Sequence, residues 1–254
     1  MEQIATRRIH TCFTRALSTY DKQAEAQHLI SRKLASLLPH EAEAHYRRML
    51  EIGCGTGGFT KELKQQCRID EWILNDLCEA CREKTDQLFP GSPPRFITGD
   101  AETLSFPGKF DLIASASVFQ WIKEPEAFLR KLSTLLIPQG VLLLSSFLPG
   151  NLKEIKELTG EGLTYPTPEL LSEWLSAADF DLQHIEEETI VLTFKTPLDI
   201  LRHLKATGVT ATGNGRWTRG RQEVFNRKYQ ERFATDDGQV TLTYRPLYIV
   251  AIKK

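Results

Sequence analysis

Apolar and polar positions along the chain change their period several times, and each change predicts an element. From Tyr20 to Leu38 the residues Ala26, Leu29, Ile30, Leu34, Leu37 and Leu38 form one helical stripe, which Pro39 and the polar residues after it end. From about Arg48 to Phe147 short apolar runs alternate with helical patterns. The runs begin at Met49 and continue with Glu71–Asn75, Arg95–Thr98, Phe110–Ser115 and Val141–Ser145. The helical patterns are Gly58–Cys67, Glu79–Phe89 and Pro125–Leu136, the last followed by a stop signal, Pro138-Gln-Gly140. Such alternation predicts an α/β fold, a parallel sheet with helices on both faces. A further helix is expected at Pro168–Ala178, and strands at Ile185–Phe194 and Val240–Ile252, both rich in β-branched residues.

The stretch between those last two strands, 195–239, is too long for a plain loop. It carries two helical patterns, Leu198–Lys205 and Thr218–Phe233, and the second sets Phe225, Tyr229 and Phe233 on one stripe. Between them Gly208 to Gly220 is too glycine-rich for regular structure. Residues 195–232 hold nine Lys/Arg against three Asp/Glu, a local charge of +6, while residues 151–188 hold ten acids and two lysines, −8. The net charge of −1 therefore hides a basic segment beside an acidic one. A basic patch without net basicity points to an acidic partner rather than to nucleic acid. A solvated helix face explains part of it, though less well the cluster Arg216, Arg219 and Arg221.

Composition narrows the class. With 41% hydrophobic and 26% charged residues over 254 positions, the chain is an ordinary globular protein, one domain with room for an insertion. No apolar run approaches the ~18 residues of a membrane span, and the N-terminus lacks the apolar core of a signal peptide. Five cysteines, Cys12, Cys54, Cys67, Cys78 and Cys81, make no even framework and read as reduced thiols of a cytoplasmic protein. Cys78-x-x-Cys81 stands alone, so two small residues on a helix are favoured over a zinc or redox site. The six histidines, His10, His28, His40, His45, His184 and His203, do not cluster, and no metal site is expected.

The most informative stretch is Met49 to Gly58, Met-Leu-Glu-Ile-Gly-Cys-Gly-Thr-Gly-Gly. A strand runs into a glycine loop where backbone must approach a ligand closely. No Gly-Lys-Ser/Thr ends it, so it is not a P-loop, and the spacing Gly53-x-Gly55-x-Gly57 is not the dinucleotide fingerprint. With Glu51 two residues ahead, it resembles motif I of the class I S-adenosylmethionine methyltransferases, Glu-x-Gly-x-Gly-x-Gly. The later strand ends agree. Asp76 closes the second run, where an acid can accept hydrogen bonds from two ribose hydroxyls. Asp100-Ala101-Glu102 follows the third, where the family's acid binds the adenine amine. Ser117 to Trp121 follows the fourth, where the family places the methyl donor. The resemblance thus implies a class I, Rossmann-like fold with a seven-stranded, mostly parallel sheet. It assigns cofactor contacts to Glu51, Gly53, Cys54, Gly55, Gly57, Asp76, Leu77, Asp100, Ala101, Glu102 and Ser117.

A narrower resemblance lies in the insertion. His203-Leu-Lys-Ala-Thr-Gly-Val-Thr-Ala211, Trp217-Thr-Arg-Gly-Arg221 and Val240-Thr-Leu-Thr-Tyr244 resemble the BioC family, the malonyl-acyl-carrier-protein O-methyltransferases of biotin synthesis. Phe13 to Gln27, with Tyr20-Asp21, Ala24 and Gln27, and Gln120-Trp121 agree as well. The resemblance covers nearly the whole chain. It implies an N-terminal helical cap over 1–38, a basic helical lid over 195–239, and methylation of the malonyl carboxylate on an acyl carrier protein. The carrier's malonyl-phosphopantetheine is the expected partner group; a membrane partner is not expected, and a monomer is favoured.

Methyl transfer to a carboxylate needs no general base, because the acid is ionised at neutral pH. It needs alignment and exclusion of water, which suits a chain without an obvious catalytic dyad. Arg219 and Arg221 are the candidates to hold the substrate carboxylate, with Arg216 and Arg15 behind them. Tyr20 either hydrogen-bonds a substrate oxygen or packs on the adenosine, and Gln120 is the remaining candidate. The S-adenosylmethionine motifs by themselves leave open a methyltransferase for another small acid or quinone precursor, and a non-catalytic S-adenosylmethionine-binding protein.

Overall fold

The computed structural model describes residues 6–38, 44–209 and 218–254. Pro39, His40, Arg216, Trp217 and most of the glycine-rich stretch lie outside the described residues. The chain divides into two compact units.

The larger unit spans Gln27–Ser146, Pro166–Glu187 and Leu247–Lys254. Its strands are β1 (His45–Ile52), β2 (Arg68–Asp76), β3 (Arg95–Thr98), β4 (Phe110–Ser115), β5 (Leu136–Phe147), β6 (Phe180–Glu187) and, last in the chain, β9 (Pro246–Lys253). They form one seven-stranded sheet in the order β3-β2-β1-β4-β5-β9-β6. Neighbours from β3 to β5 run parallel, and β6 pairs antiparallel with β9. This is the seven-stranded, mostly parallel sheet that the resemblance implies. Burial explains the central place of β1: its first half is partly exposed, whereas Met49, Leu50, Glu51 and Ile52 are all buried. The helices α4 (Gly58–Gln66), α5 (Cys81–Asp86), α6 (Pro125–Leu135) and α8 (Pro168–Ala177) alternate with the strands.

Several boundaries differ from expectation. The helix expected from Tyr20 to Leu38 is two pieces, α2 (Tyr20–Gln23) and α3 (Glu25–Ser36), divided where fully buried Ala24 leaves helical geometry at φ −83°, ψ 45°, and a separate helix, α1 (Thr6–Ala16), precedes them. On α3 the buried stripe is Ala26, Ile30, Leu34 and Ala35, and Leu29 is 42% exposed. Helix α5 is shorter than Glu79–Phe89. Pro138-Gln-Gly140 does not separate α6 from a strand; β5 has already begun at Leu136. The register jumps from Phe110↔Leu136 to Leu112↔Val141, so these residues bulge out of β5, with Gln139 left-handed at φ 64°.

The two expected C-terminal strands are each divided. Ile185–Phe194 holds the end of β6 and all of β7 (Ile190–Phe194), and Val240–Ile252 holds β8 (Val240–Tyr244) and most of β9. The break at Arg245-Pro246 has a cause. Pro246 has no N–H to donate, and the Arg245 N–H donates to Asn151 Oδ1 at 3.1 Å rather than to a ladder.

The smaller unit takes its described residues from the stretches up to Ala26, Phe147–Tyr165 and Glu188–Pro246. In it β7 and β8 form an antiparallel two-stranded sheet. Around it lie α7 (Lys153–Thr159), α9 (Pro197–Ala206) and α10 (Arg219–Phe233). Both insertion helices thus form where their periodicity places them. Thr196 and Thr218 cap them, accepting from Asp199 N and Arg221 N. The aromatic stripe of α10 is real: Phe225 and Tyr229 are buried, with ring centroids 5.3 Å apart, and Phe233 follows at 5.1 Å. Fully buried Glu154 on α7 is satisfied by β8, accepting from Thr243 N at 3.1 Å and from its hydroxyl.

Candidate functional site

The glycine loop joins β1 to α4, and its conformation requires glycine. Gly53, Gly55 and Gly57 have φ of 69°, 53° and 86°, all left-handed. Space discriminates between them. A Cβ on Gly53 would come within 2.3 Å of Val118 Cγ2, and one on Gly57 within 2.6 Å of Leu88 Cδ1, whereas one on Gly55 would meet no protein atom within 4 Å. Gly53 and Gly57 therefore let the chain pack on itself, and Gly55 leaves its backbone bare.

The end of β2 holds this loop in place. The Asn75 carbonyl accepts from Gly53 N at 2.8 Å and Cys54 N at 3.0 Å. Asp76 accepts from Gly55 N at 2.9 Å through Oδ2 and from Cys78 N at 2.8 Å through Oδ1. Half-buried Leu77 lies between those contacts. Beneath the loop Glu51 is buried and accepts from Thr60 Oγ1 at 2.7 Å. Burial pushes its carboxyl up to about 8, against the Thr60 bond, and the charge of Asp76 adds to the rise. Burial also drives the Cys54 and Cys81 thiols well above their usual range, so neither is a thiolate nucleophile at neutral pH.

The third strand end is built in the same manner. Asp100 Oδ1 accepts from Glu102 N at 3.0 Å. Glu102 Oε1 accepts from Lys123 N at 3.1 Å and Glu124 N at 3.0 Å, tying this turn to the one after β4. Lys131 on α6 donates to the carbonyls of buried Ala101, at 2.7 Å, and of Glu102, at 3.1 Å. After β4, Ser117 is left-handed at φ 57°, and the short 3₁₀ turn Phe119–Trp121 follows. Gln120 Nε2 donates to the Ser117 carbonyl at 2.6 Å. Ser117 Oγ and Gln120 Oε1 are buried with no hydrogen-bond partner among the described residues.

The structure thus brings Glu51, Gly53, Cys54, Gly55, Gly57, Asp76, Leu77, Asp100, Ala101, Glu102, Ser117 and Gln120 to the carboxyl ends of β1 to β4 in one unit. A bare glycine backbone beside two buried polar atoms without partners is the setting of a polar ligand. Among the described residues no group of three His, Cys, Asp or Glu is arranged to hold a metal ion, and no helix is long and apolar enough to cross a membrane.

Tyr20, Arg219 and Arg221 belong to the smaller unit. Tyr20 opens α2, its ring 6.4 Å from that of Phe13. The Arg219 side chain is 95% exposed, with Glu223 3.7 Å away; Arg221 pairs with Glu161 at 3.5 Å. Arg232 pairs with Glu157 at 3.0 Å, so the acidic segment neutralises part of the basic one. Arg15 is exposed at the end of α1.

Sequence reasoning missed Asn75, Thr60, Lys131 and Ser145, whose Oγ accepts from Ser117 N at 2.9 Å. Asn75 is buried and its amide donates to the Ile97 and Gly99 carbonyls, at 2.8 and 3.0 Å. A polar residue inside an apolar run was the available signal for Asn75 and Ser145.

Known proteins with this sequence or shape agree. The family profile described as "Methyltransferase domain" matches residues 50–144. A malonyl-[acyl-carrier protein] O-methyltransferase of Porphyromonas gingivalis is 49% identical over 241 residues, covering 94% of this chain and 92% of its own length. The protein of the same name from Haemophilus ducreyi is 43% identical over 258 residues, covering 100% of this chain and 99% of its own. The solved S-adenosylmethionine dependent methyltransferase of Mesorhizobium loti superposes with a TM-score of 0.55 at 16% identity, over 87% of this chain and 96% of that one, a likeness of fold alone.

Proposed function

The chain belongs to the malonyl-[acyl-carrier protein] O-methyltransferase family, and from that premise we propose that it methylates the free carboxylate of malonyl-acyl-carrier protein. The identity, sustained over both full chains, is the observation that carries this reading. S-adenosylmethionine supplies a sulfonium-bound methyl group and leaves as S-adenosylhomocysteine.

The residues at the strand ends suit that group. Asp76, fixed by two main-chain donors, presents a carboxylate to the ribose hydroxyls, and Asp100 presents one to the adenine amine. The bare backbone at Gly55 and the first N–H groups of α4 suit the methionine carboxylate. Leu77, Cys54, Ala101 and Glu102 line the same strand ends. Ser117 and Gln120 supply buried polar atoms for the methionine end or the acceptor carboxylate. Such an acceptor is ionised at neutral pH, so these side chains need only orient it and exclude water.

On the smaller unit, Arg219 and Arg221 hold the substrate carboxylate or steer its carrier, and Tyr20 hydrogen-bonds a substrate oxygen. Residues 195–239 act as a lid and residues 1–38 as a cap. Acyl carrier proteins are acidic, and α10 is basic, which favours a carrier-borne substrate over a free acid. Masking the malonyl charge places the reaction early in pimeloyl formation for biotin, in the cytoplasm.

The test offers S-adenosylmethionine with a labelled methyl group to malonyl-carrier protein, to a small malonyl thioester and to carrier protein bearing no malonyl group. Label should enter malonyl-carrier protein as an alkali-labile ester. No label on any of the three, from a chain that binds S-adenosylmethionine, leaves a non-catalytic binding protein. Label on the small thioester alone shifts the substrate to a small acid.

A further inference from the structure

The turn after β4 holds a contradiction in local physics. Ser117 lies in the left-handed region, where a residue with a Cβ is strained. Two polar atoms of this turn, Ser117 Oγ and Gln120 Oε1, are buried without a partner among the described residues, each at a further desolvation cost. A sequence without constraint here would place glycine at 117. Strain and unmet polar atoms in one turn persist only where the surroundings impose them.

The surroundings are on three sides. Ser115 Oγ donates to the Ile52 carbonyl at 2.9 Å and pins the end of β4 to β1. Val118 fills the space that Gly53 leaves open, so the turn abuts the glycine loop. The third contact comes from β5, where fully buried Ser145 uses its Oγ to accept the Ser117 N–H at 2.9 Å. Of the three it alone bonds the strained residue itself. Through the Ser117 carbonyl, which accepts from Gln120 Nε2, the same restraint reaches the Gln120 side chain.

We propose that Ser145 is a positioning residue for methyl transfer: its hydroxyl holds Ser117 in the left-handed turn that aims Ser117 Oγ and Gln120 at the reacting groups. This rests on the methyltransferase reading above and adds to it a residue that does not itself touch cofactor or substrate.

The discriminating experiment is a double-mutant cycle with a second readout on the chain alone. Ser145→Ala should speed amide hydrogen exchange in residues 116–121 while leaving exchange in β1 unchanged. It should lower kcat on malonyl-carrier protein about three- to tenfold, the size of one net hydrogen bond. In the Ser117→Gly background the left-handed turn carries no penalty, and adding Ser145→Ala should cost less than about twofold in kcat. Equal losses in both backgrounds, or undisturbed exchange in 116–121, overturn the proposal. If Ser145→Ala does not fold, Ser145→Cys, close in size with a weaker acceptor, should give intermediate losses; parental kcat and exchange in it count equally against Ser145. A parent chain that binds no S-adenosylmethionine by calorimetry refutes the methyl-donor reading instead, and the exchange arm still decides whether Ser145 holds the turn.

Discussion

At the scale of single residues, the glycine loop separates two uses of glycine that its sequence runs together. Gly53→Ala forces a Cβ into Val118 and should lower stability by about 1–3 kcal/mol, read as a fall in the thermal midpoint. A Cβ at Gly55 meets no protein atom within 4 Å, so Gly55→Val should fold, with backbone strain at φ 53° as its cost. Its side chain would occupy the space over the bare backbone, so calorimetry should find S-adenosylmethionine binding abolished. Normal binding by folded Gly55→Val would remove the loop from the site. Glu51 makes a second prediction. Its folded pKa, about 8, lies above the ordinary carboxyl value of 4.5, so between these values the folded chain holds a proton that the unfolded chain has released. The site's contribution to stability is therefore full below about 4.5 and is lost as pH rises through about 8. Urea midpoints from pH 5 to 9 should fall for the parent relative to Glu51→Gln; parallel curves would mean that Glu51 is ionised in the fold.

At the scale of elements, what the sequence disclosed depended on whether neighbours in the chain are also neighbours in space. Strands β3 and β4 fall on the expected residues because each is a short apolar run closed by turn residues. The glycine loop and the acids after it were legible for the same reason, since each sits at its own strand's end. Helix α7, only seven residues long, gave no periodic signal. The division between β8 and β9 had one visible signal, Pro246, but its second cause, Asn151 accepting the Arg245 N–H, lies far away in sequence. Thr60 reads as an ordinary helix residue until its partner is known, and Ser145 shows only as a polar residue in an apolar run. The basic segment was legible as charge, but not the pairing of Arg221 and Arg232 with Glu161 and Glu157. Helix α10 keeps Arg219 exposed nonetheless. Arg219→Ala with Arg221→Ala should leave S-adenosylmethionine affinity unchanged and slow methylation of malonyl-carrier protein, on the order of tenfold at low salt. If the arginines steer the carrier, high salt shrinks that difference and a small malonyl thioester reacts at the parental rate, because exposed charges are screened within roughly 8–10 Å. If they grip the malonyl carboxylate, the thioester slows as well. Parental rates on both substrates would exclude α10 from the site.

At the scale of the whole molecule, one unit carries the sheet and every proposed cofactor residue, and the other carries Tyr20, Arg219 and Arg221. The second unit is assembled from three separate stretches of chain, so the N-terminal segment and the insertion between β7 and β8 fold together although about 170 residues apart in sequence. Thr19 Oγ1, one residue before Tyr20, donates to the Ala206 carbonyl at the end of α9, at 3.1 Å. Such a division suits an enzyme whose methyl donor is small and common to many reactions, and whose acceptor is another protein. The most direct measurement is the intact mass of malonyl-carrier protein after incubation with this chain and S-adenosylmethionine bearing a deuterated methyl group. One deuterated methyl should be gained on the malonyl group and lost on ester hydrolysis, with none gained by carrier protein lacking malonyl. An unchanged mass, from a chain shown to bind S-adenosylmethionine, would contradict the proposed activity.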